Sequence, residues 1–105
     1  MKRVGFKHAQ RTLLQSIDEG SIRHEVRAQV DQKNLLYAGA VTMSDVRTLI
    51  ERARGNQYES RQHHWMSDTE VHILKASSWY IKWYILEPNA VFISVHPLRG
   101  SHENL

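Results

Sequence analysis

The fold is decided by residues 79–96, WYIKWYILEPNAVFISVH, in which two runs of β-branched and aromatic side chains are separated by Pro88-Asn89. Within each run the apolar character repeats every second residue, which is typical of β-strands covered on one face. A connection this short joins antiparallel neighbours. We therefore predict a hairpin whose apolar face carries Trp79, Ile81, Trp83 and Ile85 on one strand and Val91, Ile93 and Val95 on the other.

The opposite face of this hairpin is mostly polar. It carries Tyr80, Lys82 and Tyr84 on the first strand and Phe92, Ser94 and His96 on the second. Because alternate side chains of a strand project to opposite sides, we expect the apolar face to pack on helices and the polar face to stay open. His72, together with Glu59, Arg61 and His63 or their alternates, could join the polar face from preceding strands.

Two further runs with the same period, residues 57–66 and 69–76, precede the hairpin. The intervening turns at Ser67-Asp68 and Ser77-Ser78 are again short, so these strands also pair with their neighbours along the chain. We predict an antiparallel meander of about four strands over residues 56–98, followed by a tail over residues 99–105.

The first half of the chain has a helical period instead. Apolar residues recur at three- and four-residue steps at Phe6, Ala9, Leu13, Leu14 and Ile17. Gly20 follows at the position of a left-handed helix cap, and Thr42 with Asp45 forms the pattern of a capping box for a helix that ends near Gly55. Residues 21–30 fit either state, and we expect a short extended piece that runs into a helix near Gln29 to Tyr37. The prediction is one α+β domain over residues 1–105, mainly helical over 1–55, with the helices on one face of the sheet.

Composition excludes several classes of function. The chain has no cysteine, which removes thiolate nucleophiles, Cys zinc sites and disulfides. Hydrophobic residues make up 41% and charged residues 24%, as in ordinary globular domains. No apolar run approaches the roughly 20 residues of a membrane span, and the first residues lack the apolar core of a signal peptide. We expect a cytoplasmic protein with no membrane partner.

The formal net charge of +3 is unevenly distributed. Before Tyr58 there are ten Lys and Arg against six Asp and Glu, and from Tyr58 onward there are four against five. Five of the seven His lie in the second part. The first half is therefore predicted to attract a polyanion, and the second half to gather titratable groups.

The order of several short motifs resembles the motility quorum-sensing regulator (MqsR) toxins. A helix that ends in Asp-Glu-Gly and a capped helix are followed by Gln57-Tyr58-Glu59-Ser60, Ser67-Asp68, Trp79-Tyr80-Ile81-Lys82 and Val91-Phe92-Ile93-Ser94-Val95-His96. The resemblance implies a RelE-like fold and a messenger RNA interferase that uses no metal and no nucleotide cofactor. It also implies a type II toxin-antitoxin system, in which the toxin acts on mRNA, free or on the ribosome, and a partner antitoxin protein neutralises it.

Residue by residue, the resemblance covers four positions of the family's site. The family's Tyr-Lys-Ser stretch falls on residues 58–60, so that Glu59 stands where the family has its catalytic lysine. The family's strand glutamine falls near Ile73, its catalytic tyrosine matches Tyr80, and its terminal-strand lysine matches His96. A Glu and a His at such positions are similar to what other RelE-like toxins use.

Metal-free cleavage of RNA requires a base for the 2′ hydroxyl, an acid for the 5′ oxygen and cations around the phosphorane. Glu59 is the candidate base and His96 the candidate acid, since histidine ordinarily titrates near neutral pH. Tyr80 and Lys82 are predicted to support the transition state. The candidate RNA-binding residues are Arg61, His72 and Tyr84. We predict no metal site, because His63 and His64, as neighbours on a strand, would point to opposite faces and no carboxylate pair completes a ligand set.

Each candidate also fits an ordinary structural role. Glu59 and Arg61 suit a solvated ion pair, His96 suits a surface histidine at a strand end, and Tyr80 with Lys82 suits the wet side of a half-covered sheet. Two other functions therefore stay open, a non-catalytic RNA- or protein-binding module on the same fold, and a toxin-like fold that has lost its activity. Convergence of the titratable groups favours an enzyme, and their scatter favours binding.

Overall fold

A five-stranded sheet forms the centre of the computed structural model, which describes residues 3–98. The strands are β1 (Ile22–His24), β2 (Tyr58–Gln62), β3 (Glu70–Ala76), β4 (Trp79–Leu86) and β5 (Asn89–Pro97), in the spatial order β1-β5-β4-β3-β2. β2 to β5 form the predicted antiparallel meander, and β1 pairs parallel with β5. The α+β prediction is confirmed, with a fifth strand beyond the four that were expected. The predicted tail, 99–105, lies outside the described residues.

Three helices accompany the sheet, α1 (Phe6–Asp18), α2 (Val30–Lys33) and α3 (Met43–Arg52). α1 ends as predicted, with Gly20 at φ 73° and the Ser21 N–H donating to the Ser16 carbonyl at 2.8 Å. α3 begins with the predicted capping box, in which Thr42 and Asp45 each accept a hydrogen bond from the other's backbone N–H. None of the helices within residues 3–98 is long and apolar enough to cross a membrane.

The main core lies between one face of the sheet and the helices α1 and α3. The predicted apolar row of β4 faces this core, in which Trp83 is fully buried. The other fully buried members, with at most 1% of their surface exposed, are Leu13, Val46, Ile50, Leu74, Ile81, Ala90, Phe92 and Val95. The prediction that this face of β4 packs against the helices is therefore confirmed.

The alternation in β5 changes phase at a β-bulge. Lys82 of β4 pairs with Ser94, but the next pair along the ladder is Trp83 with Phe92, which leaves Ile93 as an extra residue on β5. The bulge moves every side chain before Ile93 to the other face relative to a regular strand.

The prediction for β5 was therefore partly wrong. Phe92 packs in the helix-covered core, whereas Val91 and Ile93 lie in a second cluster on the opposite face. Val95, beyond the bulge, faces the helices as predicted. The bulge could not be recognised from the sequence, because the alternation of residue types continues on both sides of the extra residue.

The outer edge of β5 is shared by two segments. β1 pairs with residues 90–92, and farther along Asn34 forms an isolated bridge with Val95. The Leu35 N–H donates to the Val95 carbonyl at 2.8 Å. This pairing brings the short helix α2 beside the end of β5, where it borders the face of the sheet away from α1 and α3.

Candidate functional site

The face of the sheet away from α1 and α3, called the open face below, carries most of the predicted site. Lys75, Tyr80 and His96 align across β3, β4 and β5 in one row of this face. The neighbouring row consists of Glu59, Ile73, Lys82 and Ser94. The four residues predicted to be catalytic thus occupy two adjacent rows.

A depression on this face, called the His96 pocket, has a volume of about 650 Å³. Lys33 reaches it from α2 and Lys75 from β3, so two cations from different elements border the same space. The lining residues are Gln29, Gln32, Lys33, Lys75, Tyr80, Ser94, His96, Pro97 and Leu98. The pocket therefore combines positive charge with a histidine and with hydrogen-bonding amide and hydroxyl groups.

The ring of His96 is held in a defined orientation. Its Nδ1 lies 2.8 Å from the backbone carbonyl oxygen of Pro97. Because a carbonyl oxygen only accepts, Nδ1 carries the proton and Nε2 is the nitrogen left for proton transfer. The Tyr80 ring stacks on the His96 ring, with 5.0 Å between centroids and 14° between planes. Tyr80 thus fixes the ring plane, and Pro97 fixes which nitrogen is free.

Glu59 reaches the His96 pocket only through Lys75. Its Oε1 lies 3.1 Å from the Lys75 Nζ and its Oε2 lies 3.4 Å from an Arg61 nitrogen. The hydrogen bond from Lys75 is the main reason that the pKa of Glu59 lies below its usual value. Glu59 and His96 lie on strands that are three spacings apart, about 14 Å across the sheet, and in adjacent rows. The carboxylate therefore positions a lysine of the pocket and does not line the pocket itself.

A smaller depression on the open face, called the Lys82 pocket, has a volume of about 160 Å³. Its lining residues are Arg27, Arg61, Gln62, His63, His64, Val71, Lys82 and Ile93. Burial lowers the pKa of Lys82, and the neighbouring Arg27 and Arg61 lower it further. Five cationic side chains line the two pockets together, and no carboxylate is among their lining residues within the described chain. The cations come from both halves of the sequence, not from the first half alone.

The expectation that His72 joins the open face is wrong. His72 is buried on the face covered by the helices, where its ring lies 5.3 Å from that of Trp83. Its Nδ1 lies 2.8 Å from the Tyr58 hydroxyl, and burial lowers its pKa. The two-residue turn after β3 explains the error, since it pairs Ala76 with Trp79 and so turns every even-numbered residue of β3 toward the helices.

Tyr84, another predicted RNA-binding residue, faces the open side but is covered. Its hydroxyl donates to Oε2 of Glu25 at 2.7 Å, and only 5% of the residue is exposed. Burial and the contact with Glu25 raise the pKa of Tyr84 to about 12. Its hydroxyl is thus already engaged inside the protein.

Glu25 contacts three side chains, two of which are remote from it in sequence. Besides Tyr84, it interacts with Arg27 and with Nε2 of His63, which lies 3.3 Å from its Oε2. Burial alone would raise the pKa of Glu25, but the hydrogen bonds from Tyr84, His63 and Arg27 outweigh it and lower the pKa. The cluster fastens the segment after β1 to the open face.

Sequence reasoning missed Lys33, Lys75 and Glu25. Lys75 could have been found, because Ser77 and Ser78, both with positive φ, form a two-residue turn that sets Lys75 opposite Tyr80. Lys33 and Glu25 lie in the segment whose period was ambiguous. Their positions depend on pairing with β5, for which the sequence offers no local signal.

His63 and His64 do not point to opposite faces, because β2 ends at Gln62 and the chain bends there. Their rings are nearly parallel, at 4° and 5.3 Å between centroids. Among residues 3–98, no group of three His, Asp or Glu side chains is arranged to hold a metal ion. The chain matches no protein-family model, no curated protein and no solved structure.

Proposed function

We propose that this chain is a metal-independent endoribonuclease that binds single-stranded RNA across the open face and cleaves it in the His96 pocket. The observation that carries the proposal is the convergence in one pocket of a histidine with one free nitrogen, a tyrosine stacked on it, and two lysines from α2 and β3. Proton transfer and stabilisation of phosphate charge are the two requirements of this reaction.

In the proposed mechanism, Nε2 of His96 moves the proton. The 2′ oxygen attacks the adjacent phosphorus, the bond to the 5′ oxygen breaks, and a 2′,3′-cyclic phosphate is left. His96 accepts the proton of the 2′ hydroxyl, and the imidazolium returns it to the departing 5′ oxygen. Lys33 and Lys75 offset the charge of the phosphorane, and Glu59 holds Lys75 in place.

The resemblance to the MqsR toxins extends this proposal to a biological role. The substrate would be messenger RNA in the cytoplasm, free or on the ribosome, and the chain would be the toxin of a type II toxin-antitoxin system. A partner antitoxin protein would then neutralise it. The support for this extension is the order of motifs in the sequence together with the helices-then-meander architecture.

A second candidate is a non-catalytic RNA-binding module that uses the same face. The observation that favours it is the placement of Glu59, which is engaged by Lys75 and Arg61 and stands three strands away from His96. A binding module needs the five cations and the exposed aromatic rings but no acid/base geometry.

The test compares His96→Ala with His8→Ala, which removes an exposed histidine of α1. We expect His96→Ala to lower RNA cleavage about 10²- to 10⁴-fold, the usual contribution of one general acid or base, and to stay folded. His8→Ala and addition of EDTA should change nothing. A 2′-O-methyl RNA should bind but remain uncut, because its 2′ oxygen cannot lose a proton.

Activity that survives in His96→Ala, or that disappears with EDTA, would refute the proposed site. A wild-type protein that cuts no RNA but binds it would support the binding module. In that case the logarithm of the affinity should fall linearly with the logarithm of salt concentration, with a slope set by the phosphates contacted.

A further inference from the structure

Trp65 is the most exposed of the large hydrophobic residues within the described chain. With 71% of its surface accessible, it stands out from Trp79 and Trp83, which pack in the main core. It lies in the loop between β2 and β3, at the border of the Lys82 pocket. An indole this exposed keeps part of its ring surface available for a ligand.

The loop that presents Trp65 is fastened to the sheet. His63, which is only 2% exposed, accepts hydrogen bonds at Nδ1 from the backbone N–H groups of Trp65 at 3.1 Å and Met66 at 3.2 Å. Since Nδ1 accepts, Nε2 carries the proton and donates to Glu25. The backbone of Trp65 is thus tied to β4 through His63, Glu25 and Tyr84, which reduces the ordering that binding would require.

Aromatic and cationic groups both lie beside Trp65. The His64 ring centroid lies 4.3 Å from that of the indole, with 53° between the ring planes, and the Arg27 guanidinium lies 5.3 Å from the indole centroid. The adjoining Lys82 pocket contributes Arg61 and Lys82. Stacking surfaces next to cations are what proteins use to bind single-stranded nucleic acid without reading its sequence.

We propose that Trp65 and His64 form a base-stacking platform for single-stranded RNA. The platform extends the RNA-binding face beyond the His96 pocket, and its substrate class rests on the proposed function. Tyr84, to which the platform is tied, lies four residues from Tyr80 along β4, about 13 Å. An RNA strand that contacts both the platform and the His96 pocket would therefore run along this part of the sheet.

The experiment measures binding of a 2′-O-methyl oligouridylate of about eight nucleotides, long enough to span both pockets. Trp65→Ala should weaken this binding about 5- to 150-fold, the usual effect of removing one stacking aromatic residue. Trp65→Phe should retain most of the affinity. Tyr37→Ala, which removes another exposed aromatic ring, one that contacts His24, should change nothing.

Cleavage of a ribodinucleotide separates the platform from the His96 pocket. A dinucleotide is too short to reach both, so Trp65→Ala should cleave it at the wild-type rate. Iodide should quench the wild-type tryptophan fluorescence, and the octanucleotide should protect it, because Trp65 is the exposed indole.

Wild-type binding of the octanucleotide by Trp65→Ala, or an equal loss in Tyr37→Ala, would overturn the platform. If the wild-type protein still cuts RNA when the platform is overturned in this way, the nuclease proposal stands without the platform. Octanucleotide binding that needs Trp65 in a protein that cuts no RNA would support the platform and refute the nuclease. A wild-type protein that binds no octanucleotide would refute the platform, and a wild-type protein that also cuts no RNA would refute the nuclease as well.

Discussion

Both faces of the sheet bury apolar side chains, but they cover them differently. On the helix-covered face, Trp83 and Phe92 have no exposed surface and pack against residues of α1 and α3. On the open face, Ile73 and Val71 are also buried, at 0% and 2% exposed. Their cluster is smaller, however, and the partly buried hydrophobic residues packed against it are Met66 and Tyr80.

Because of this difference in packing, the helix-covered face contributes most to stability, and the open face carries the groups proposed for function. The helix-covered face has close-packed backbone elements above it, so a lost side chain leaves a cavity. The open face has an apolar layer beneath long polar side chains, including Tyr80 and Lys82. Such side chains can move to fill the cavity that a truncated side chain leaves beneath them. The groups proposed for chemistry thus stand on a buried apolar layer without being part of the main core.

The largest expected effect is that of Phe92→Ala. Removal of a fully buried Phe should lower the free energy of unfolding by about 3–5 kcal/mol, measured by urea denaturation. Tyr80→Ala, the matched truncation on the open face, should cost about 1 kcal/mol or less because its ring is only partly buried. Equal costs would mean that the bulge at Ile93 does not turn Phe92 toward the helices.

A closer comparison uses two isoleucines on adjacent strands. Ile81 faces the helices and Ile73 the open face, and both are at most 1% exposed. Ile81→Ala should lower the free energy of unfolding by about 2–5 kcal/mol, and Ile73→Ala should fall at or below the low end of that range. The physical reason is that the side chains above Ile73 can settle into the gap. If the two losses were the same, the open face would be as rigidly packed as the core.

The elements of the fold with strong local signals were predictable. Gly20 and the Thr42 and Asp45 pair mark helix ends through backbone hydrogen bonds that involve only nearby residues. The alternation of β4 likewise reports burial on one side. These signals are local, so one sequence suffices to read them.

The parts that failed depend on pairing between distant segments. The bulge at Ile93 and the parallel pairing of β1 are properties of the ladder with β4 and β5, not of either strand alone. For the candidate site, Tyr80 and His96 were placed together correctly because one hairpin contains both. Glu25 was missed because its partner Tyr84 is 59 residues away.

A smaller effect is expected at Glu25, which fastens the segment after β1 to the open face. Glu25→Gln removes the charge that His63 and Arg27 face, and should lower the free energy of unfolding by about 1–3 kcal/mol at neutral pH. In a double-mutant cycle, Tyr84→Phe should couple to it by about 0.5–3 kcal/mol, because the two share a hydrogen bond. If the losses of unfolding free energy in the two single variants simply added in the double variant, Glu25 and Tyr84 would not be coupled.

The pH dependence of the stability contributed by Glu25 follows from the direction in which folding shifts its pKa. Its pKa is lower in the folded protein than the ordinary 4.5, so its contribution to stability is fully present above about pH 4.5 and is lost as pH falls through the folded pKa. The stability difference between wild type and Glu25→Gln should therefore shrink on acidification, as followed by urea denaturation at several pH values. A constant difference would show that the carboxylate charge is not what matters.

The smallest effect on stability is expected at Glu59, which lies at the exposed border of the open face. Its ion pairs with Lys75 and Arg61 are solvated, so Glu59→Gln should change the free energy of unfolding by less than about 1 kcal/mol. Because the variant frees Lys75 and Arg61 for phosphate, RNA affinity should rise and its salt dependence should steepen. Cleavage should stay within several-fold of wild type. Glu87→Gln, which removes an exposed carboxylate elsewhere, controls for net charge and should leave both unchanged. If Glu59→Gln instead lost about 10²-fold or more in cleavage while folded, Glu59 would be the general base that its position in the sequence suggested, and the RNA would have to bridge three strands to reach His96.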